Sequence, residues 1–291
     1  MQFQENEFYK QAFSRNLGLL TTEEQEKISR AKIAIAGLGG VGGIYFLNLV
    51  RIGVKNFNIA DFDVFELPNI NRQVGADINS LGKSKIDTLE KMAKSINPFI
   101  TIQKFGKGVD ENNIGEFLKN ADVVLDGLDF FNIKDRIALF REAKKKKIYA
   151  ITSAPVGFGA SLLVFSPKGM SFEEYFDIKN EETDNEKLFS FALGLSPSLL
   201  HRKYFKPSLI DFSKKKAPSL SLATLLCANL TSCEVIKIIL GKKVKPAPFC
   251  SQFDPYLQKY KKINLRNGNR NFIQRFKKWI IKKKLAKSGN L

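Results

Sequence analysis

Lys32-Ile-Ala-Ile-Ala-Gly37-Leu-Gly39-Gly40-Val-Gly42-Gly43 is the stretch that decides the fold. An apolar run gives way to glycines at 37, 39, 40 and 42, and a helix-patterned Ile44-Tyr-Phe-Leu-Asn-Leu-Val50 follows. This reads as a strand, a tight turn and a helix start, whose free backbone N–H groups can approach a phosphate. Glycine suits the turn because a Cβ would block positive φ and hold an anion away from the amides. The spacing satisfies G-x-G-x-x-G, and Asp61 closes a second apolar run, Phe57-Asn-Ile-Ala60, where an acid can hold ribose hydroxyls. A nucleotide site is implied. The motif alone suits an NAD-dependent dehydrogenase as well as an ATP enzyme.

Further out, apolar runs at 32–36, 56–60, 100–105, 122–126 and 148–152 alternate with helix-period segments at 41–52, 84–96, 110–119 and 131–146. That order predicts an α/β fold: a Rossmann-like, doubly wound, mostly parallel sheet with helices on both faces and its ligand at the carboxyl edge. A strand at 159–165, a helix at 219–240 and a strand pair around 249–263 close the sheet in antiparallel fashion, with Ser219 or Ser221 as helix cap and Gly241 as its stop. Residues 170–217 lose periodicity and read as a long loop. Upstream, Thr21-Thr-Glu-Glu24 fits a capping box ahead of a helix that ends at Arg30. Residues 1–20 read as an amphipathic arm carrying Phe8, Phe13 and Leu17. The expected division is an N-terminal helical arm (1–30), a nucleotide-binding domain (31–169), a crossover segment (170–218), the C-terminal part of the same domain (219–265) and a basic amphipathic tail (266–291).

Composition narrows the class. With 291 residues and 44% hydrophobic content, the chain can bury a full core. No secretion-signal pattern opens it, and no apolar run approaches the roughly 18 residues of a membrane span, so a cytoplasmic protein is expected. Three cysteines without a C-x-x-C exclude a disulfide scaffold and make zinc an unexpected cofactor. Cys227 and Cys233, on an apolar helical stretch, read as buried structural thiols, and Cys250 sits beside a predicted strand. His201, the single histidine, has no partner with which to bind metal and reads as structural. Lys144–Lys147 read as a solvated helix end, where cations meet the dipole favourably.

The net charge is +18, and residues 266–291 supply nine Lys and Arg with no acid. Without that tail the chain carries 38 basic and 29 acidic residues, a net of +9. In the tail, Phe272, Ile273, Phe276, Trp279, Ile280 and Lys283 recur at helical spacing. Such a stripe suits docking onto the protein's own body or a dimer mate, a weak interfacial contact with an anionic membrane, or RNA.

Chemistry-bearing residues gather after the glycine turn. Asp61-Phe-Asp63 is followed by Pro68-Asn-Ile-Asn-Arg-Gln73 and then by Gly82-Lys-Ser-Lys85 at a helix start. A guanidinium fork and an ammonium point charge grip phosphoryl oxygens in complementary ways. Val123-Val-Leu-Asp126-Gly-Leu-Asp129 ends the fourth strand with two acids, and a carboxylate there can hold a Mg²⁺ that bridges phosphates.

Together these residues resemble the ubiquitin-activating and ThiF/MoeB-type adenylating enzymes over roughly residues 10–165. The glycine turn (Gly37, Gly39, Gly40, Gly42), Asp61, Asp63, Asn69, Arg72, Gln73, Lys85 and Asp129 stand in the family's order, and Phe13-Ser-Arg15-Asn-Leu looks like its N-terminal segment. The resemblance implies ATP and Mg²⁺, a homodimer, and formation of an acyl-adenylate with release of pyrophosphate. The carboxylate would belong to a peptide or ubiquitin-like C-terminus. It further implies that Asp61 binds the ribose, that Asn69, Arg72 and Lys85 contact phosphates, that Asp129 ligates Mg²⁺, and that Arg15 acts in the partner subunit's site. Residues 171–220 contain no cysteine, so adenylation is expected without the crossover thioester that many relatives form. Two other readings stand beside this one: a tRNA-modifying adenylation/dehydration enzyme of the same fold, and a non-enzymatic nucleotide-binding scaffold.

Overall fold

A computed structural model describes residues 4–206 and 217–287. Its strands are β1 (Lys32–Ala36), β2 (Asn56–Ala60), β3 (Thr101–Phe105), β4 (Val123–Asp126), β5 (Tyr149–Val156), β6 (Gly159–Phe165), β7 (Phe249–Asp254) and β8 (Lys259–Asn264). They form one eight-stranded sheet in the order β3-β2-β1-β4-β5-β6-β7-β8. The first five strands run parallel, and β6 to β8 add on antiparallel. This is the α/β, mostly parallel architecture that the alternating runs predict.

The helices are α1 (Glu5–Ala12), α2 (Thr22–Arg30), α3 (Gly42–Ile52), α4 (Lys85–Ile96), α5 (Ile114–Phe117), α6 (Ile133–Lys145), α7 (Phe172–Phe176), α8 (Asp184–Leu195), α9 (Ser221–Ile239) and α10 (Phe272–Lys287). Period-two alternation sorts the core into two layers. Ile33 and Ile35 of β1 pack with Phe46, Leu49, Leu89, Ala228 and Val235, which come from α3, α4 and α9. Ala34 and Ala36 face the other way, toward Phe117, Leu139, Phe140, Phe172 and Phe191 of α5 to α8. Strands buried on both faces read as continuous apolar runs, which is why they were visible in the sequence.

The capping box at α2 is present, with Thr21 Oγ1 accepting the Glu24 N–H at 3.2 Å and Glu24 accepting the Thr21 N–H at 3.2 Å. Several expectations are corrected. The long loop expected at 170–217 contains α7, α8 and a 3₁₀ turn at Leu200–Lys203, while residues 207–216 lie outside the described residues. Both helices open on capping boxes, Ser171 with Glu174 and Thr183 with Glu186. In α7 Phe172, Tyr175 and Phe176 share one buried face with Glu173 and Glu174 on the other, but five residues are too few for a helical period to stand out. The helix expected at 110–119 shrinks to the single turn of α5. Asp110 Oδ1 accepts the N–H groups of Asn112 and Asn113, so side chain and backbone close a turn that competes with the helix.

Neither Ser219 nor Ser221 caps α9, since Leu220 is the N-cap and the Ser219 carbonyl accepts the Asn71 side-chain amide at 2.9 Å. At 19 residues, α9 does reach the length and hydropathy of a membrane span, contrary to the sequence reading. It lies instead across β5 and β6 beside α3, with Cys227, Ala228 and Val235 buried. Cys233 is exposed rather than buried, because six residues turn a helix through about 600°, well away from the Cys227 face. Cys250 is buried, its Sγ 3.3 Å from Ser161 Oγ. At the other end of the chain, Phe8, Tyr9 and Phe13 cluster with Phe99, whereas Leu17 is exposed because α1 stops at Ala12 and a 3₁₀ turn re-aims the chain. The stripe of α10 does not dock on the body: Phe272, Ile273, Phe276 and Trp279 all face solvent.

Candidate active site

The glycine turn joins β1 to α3 at the carboxyl edge of the sheet. Gly37 has φ +87°, and a Cβ on Gly42 would sit 1.8 Å from the Gly37 carbonyl oxygen, so a side chain at either position would deform the turn. The Gly37 N–H reaches the Ala60 carbonyl at 2.8 Å, and the Leu38 N–H reaches Asp61 Oδ2 at 2.7 Å. Asp61 Oδ1 accepts the Asp63 N–H at 2.8 Å. Burial raises the Asp61 pKa above the usual carboxylate range, opposed by these two N–H groups. Each Asp61 oxygen thus holds backbone with one lone pair and keeps another for a ligand.

Asp63 continues the chain of contacts. Its Oδ2 accepts Lys85 Nζ at 2.8 Å, and its carbonyl accepts the Lys85 N–H at 3.0 Å. The Lys85 side chain is buried while Asp63 is half in water, so the ammonium is presented from the wall of the site rather than waving from its rim. The 67–73 segment lies over the same turn. Gln73 Nε2 is 3.8 Å from the place a Gly39 Cβ would occupy, and the Arg72 side-chain methylenes lie 3.7 and 3.8 Å from that of Gly40. Arg72 Nη1 donates to the Pro68 carbonyl and to Asn71 Oδ1, both at 2.9 Å. Asn69 is buried, and its Oδ1 accepts the Glu66 N–H. Among the described residues the buried Gln73 Oε1 has no hydrogen-bond partner, an orphaned acceptor beside the glycine turn.

The third part comes from the end of β4. Gly127 abuts the turn so closely that a Cβ on Gly37 would lie 2.3 Å from its carbonyl oxygen. Two residues on, Asp129 is exposed, with Oδ1 accepting the Phe131 N–H at 2.9 Å. Among the described residues no group of three His, Cys, Asp or Glu side chains converges on a metal position. Mg²⁺ does not require such a group when substrate phosphates complete its shell, so a free carboxylate at Asp129 fits it. Asp126, the other acid of this strand end, turns inward instead.

Its partner, Arg136, is the residue the sequence reading missed. Arg136 Nε meets Asp126 Oδ2 at 2.8 Å, Nη2 donates to the carbonyls of Leu128 (2.7 Å) and Asp129 (3.0 Å), and Nη1 to those of Phe130 and Asn132 (both 3.3 Å). One buried guanidinium therefore holds the whole 128–132 loop that carries Asp129. A signal was legible: Ile133, Arg136, Phe140 and Ala143 share the buried face of α6, and an arginine on such a face calls for a partner.

Arg15 lies elsewhere. It is exposed in the 3₁₀ turn Ser14–Asn16, and the neighbouring Asn16 side chain donates to the Ile52 carbonyl, at the far end of α3 from the glycine turn. Eleven helical residues, about 16 Å, separate the two ends. His201 takes a structural position, half-buried with Nδ1 3.3 Å from Ser196 Oγ, and burial lowers its pKa. A cavity of about 350 Å³ opens at the opposite, amino-terminal edge of the sheet, beside Lys32, Asn56, Thr101 and Asp122, away from all of these groups.

Comparison with known proteins supplies an independent view. The ThiF family model matches residues 13–273. The molybdopterin-synthase adenylyltransferase of Haemophilus influenzae is 32% identical over 142 residues, 49% of this chain and 58% of that protein. The tRNA threonylcarbamoyladenosine dehydratase of the same organism is 31% identical over 150 residues, 51% of this chain and 57% of that protein. A probable molybdopterin-synthase adenylyltransferase of Porphyra purpurea is 30% identical over 239 residues, 79% and 54% of the two chains. The chain thus spans a little over half the length of these curated relatives. Among solved structures, E. coli MccB with MccA superposes with a TM-score of 0.65 at 20% identity, covering 91% of this chain and 74% of that one. E. coli TcdA, a tRNA N6-threonylcarbamoyladenosine dehydratase, gives 0.58 at 18% identity, covering 80% and 95%. At such identities the likeness is one of fold.

Proposed function

Because the chain belongs to the ThiF family, we propose that it is a cytoplasmic, homodimeric enzyme that adenylates a substrate carboxylate with ATP. The observation that carries this reading is the continuous Asp61–Asp63–Lys85 arrangement beside the glycine turn, with Arg72 and Gln73 over it and Asp129 at the same sheet edge. Plain nucleotide binding leaves that much cationic and acidic machinery without a task, and so does hydride transfer.

Each residue has a role that follows from its position. The amides from Gly39 to Gly42, beyond the Gly37 and Leu38 N–H groups held by Ala60 and Asp61, face the phosphates at the start of α3, where the helix dipole favours negative charge. Asp61 offers its remaining lone pairs to the ribose hydroxyls. Asn69, Arg72 and Lys85, the last held by Asp63, meet phosphoryl oxygens as charge builds on the departing pyrophosphate. The substrate carboxylate oxygen attacks the α-phosphorus, and the bond from that phosphorus to pyrophosphate breaks. No general base is needed, because a carboxylate is already ionised at neutral pH. Catalysis rests on positioning and preorganised charge. Asp129 would hold Mg²⁺, which neutralises phosphate charge when bound. Arg15, remote from its own turn, would complete the site of the partner subunit.

The proposed substrate is a peptide or ubiquitin-like C-terminal carboxylate. A second reading, a carboxylate on a modified tRNA nucleoside, is favoured by the 31% identity to the tRNA threonylcarbamoyladenosine dehydratase of Haemophilus influenzae and by the basic body of the protein. Pyrophosphate exchange into ATP, run with candidate peptides and with tRNA, tests both. Exchange stimulated by a peptide supports the first reading, and exchange stimulated by tRNA alone supports the second. Asp129→Ala should abolish exchange in a folded protein; wild-type exchange in that variant removes Asp129 from the mechanism.

A further inference from the structure

α10 is mounted with its polar face inward. Gln274, 1% exposed, donates to the Leu193 carbonyl at 3.3 Å. Lys277 Nζ reaches the Pro197 carbonyl at 2.6 Å, and Lys278 Nζ reaches Ser190 Oγ at 2.8 Å. These bonds tie the helix to α8 and the segment just after it. The opposite face carries Phe272 (81% exposed), Ile273 (60%), Phe276 (53%) and Trp279 (57%). At 100° per residue these four positions fall on one side, and the Phe276 and Trp279 rings stack at 6.0 Å. Arg275 is exposed beside the stripe, and Lys283 Nζ lies 5.1 Å from the Trp279 ring centroid.

We propose that this face is an interfacial helix that lies on an anionic lipid surface, independently of the adenylation chemistry. The polar anchoring fixes the body behind it, so the apolar stripe is displayed rather than stored. Sixteen residues make a helix of about 24 Å, shorter than the roughly 30 Å hydrocarbon core, so it rests in the membrane plane and does not span it. Charge selects the occupant. Residues 266–291 hold nine basic side chains and no acid, so pairing with the same helix of a second copy sets cations against cations. RNA meets the cations but leaves Ile273 and its aromatic neighbours in water. An anionic bilayer takes both features at once, with rings at the headgroup–acyl boundary and lysines among the phosphates.

Trp279 is the only tryptophan of the chain, so its fluorescence reports this helix alone. The experiment titrates the full-length protein with phosphatidylcholine vesicles and with vesicles containing phosphatidylglycerol, alongside a Phe272→Glu/Phe276→Glu variant, and measures emission and co-sedimentation. Expected are a blue shift and pelleting with the anionic vesicles only, both weakening as salt rises and both lost in the variant, whose pyrophosphate exchange stays at the wild-type level. No shift with either vesicle overturns the proposal. So does an equal shift with both, since charge then selects nothing. A shift that grows with protein concentration without lipid assigns the face to a second copy. A response to RNA without vesicle binding assigns it to nucleic acid.

Discussion

Arg136 Nε and Asp126 Oδ2 meet at 2.8 Å in a setting where both side chains are almost completely buried. The pair links the end of β4 to α6, and the rest of the guanidinium holds the carbonyls of the loop bearing Asp129. It is also covered by the Phe191 ring, 4.6 Å away. A charge buried this deeply is stable only while its partner and its hydrogen bonds remain.

Replacing Arg136 with Met should therefore cost about 3–5 kcal/mol of folding stability, because it strands the Asp126 carboxylate in the core. The double variant Asp126→Asn/Arg136→Met should recover part of that loss. Denaturant unfolding of the four proteins measures the coupling directly. Independent, additive effects would show that the contact contributes nothing to the fold.

Lys85→Ala should lower the rate of pyrophosphate exchange by roughly 10²–10³-fold, the size of effect seen when one preorganised stabilising group is removed. The fold should hold, since Asp63 is half in water and can resolvate once its partner is gone. Lys85→Arg should recover only part of the rate, because the larger planar guanidinium does not replace a buried point charge. An unchanged rate in Lys85→Ala would remove this residue from the site.

Arg15 and the glycine turn stand at opposite ends of α3. If Arg15 serves a neighbouring subunit, mixing inactive Arg15→Ala and Lys85→Ala proteins should restore activity, since each mixed dimer regains one whole site. The readout is pyrophosphate exchange after confirmed subunit exchange. Failure to recover would place Arg15 in a role confined to its own chain.

The three cysteines should react very differently. Burial pushes the Cys227 thiol up to about 12 and the Cys250 thiol up to about 11, so at pH 8 almost no thiolate forms at either, whereas Cys233 is exposed. Alkylation of the native protein at pH 8 should add one adduct per chain by intact mass, at Cys233. In denaturant the number should rise to three. Rapid native labelling of Cys227 would contradict the packing of α9.

Much of this protein was written locally. The strand, turn and helix of residues 32–50 follow from an apolar run, five glycines and a helical period, and α2 follows from Thr21 and Glu24. The set Asp61, Asp63, Asn69, Arg72, Gln73, Lys85 and Asp129 was picked out because it stands in the order of the ThiF-type enzymes, and the structure brings Asp61, Asp63, Lys85, Arg72 and Gln73 together beside the glycine turn. α7 was missed because five residues are too short to show a period and α8 because its buried residues crowd into positions 190–195, although Ser171-x-x-Glu174 and Thr183-x-x-Glu186 marked both starts. Arg136 was missed for a different reason. Its partner is ten residues away on another element, and only their shared burial makes the pair compelling.

The sequence by itself determined the sheet, the glycine turn and the identity of the side chains gathered around it, because propensity, periodicity and turn chemistry act over a few residues. Tertiary structure alone decided which groups face each other. It turned Asp126 inward to Arg136 and left Asp129 open, buried Cys227 and exposed Cys233 on one helix, and set Arg15 a helix length from its own turn. It also decided that α10 shows its aromatic side to solvent. Periodicity can place a stripe on one side of a helix, but which side meets the body depends on the hydrogen bonds that neighbouring elements offer, here the carbonyls of Leu193 and Pro197.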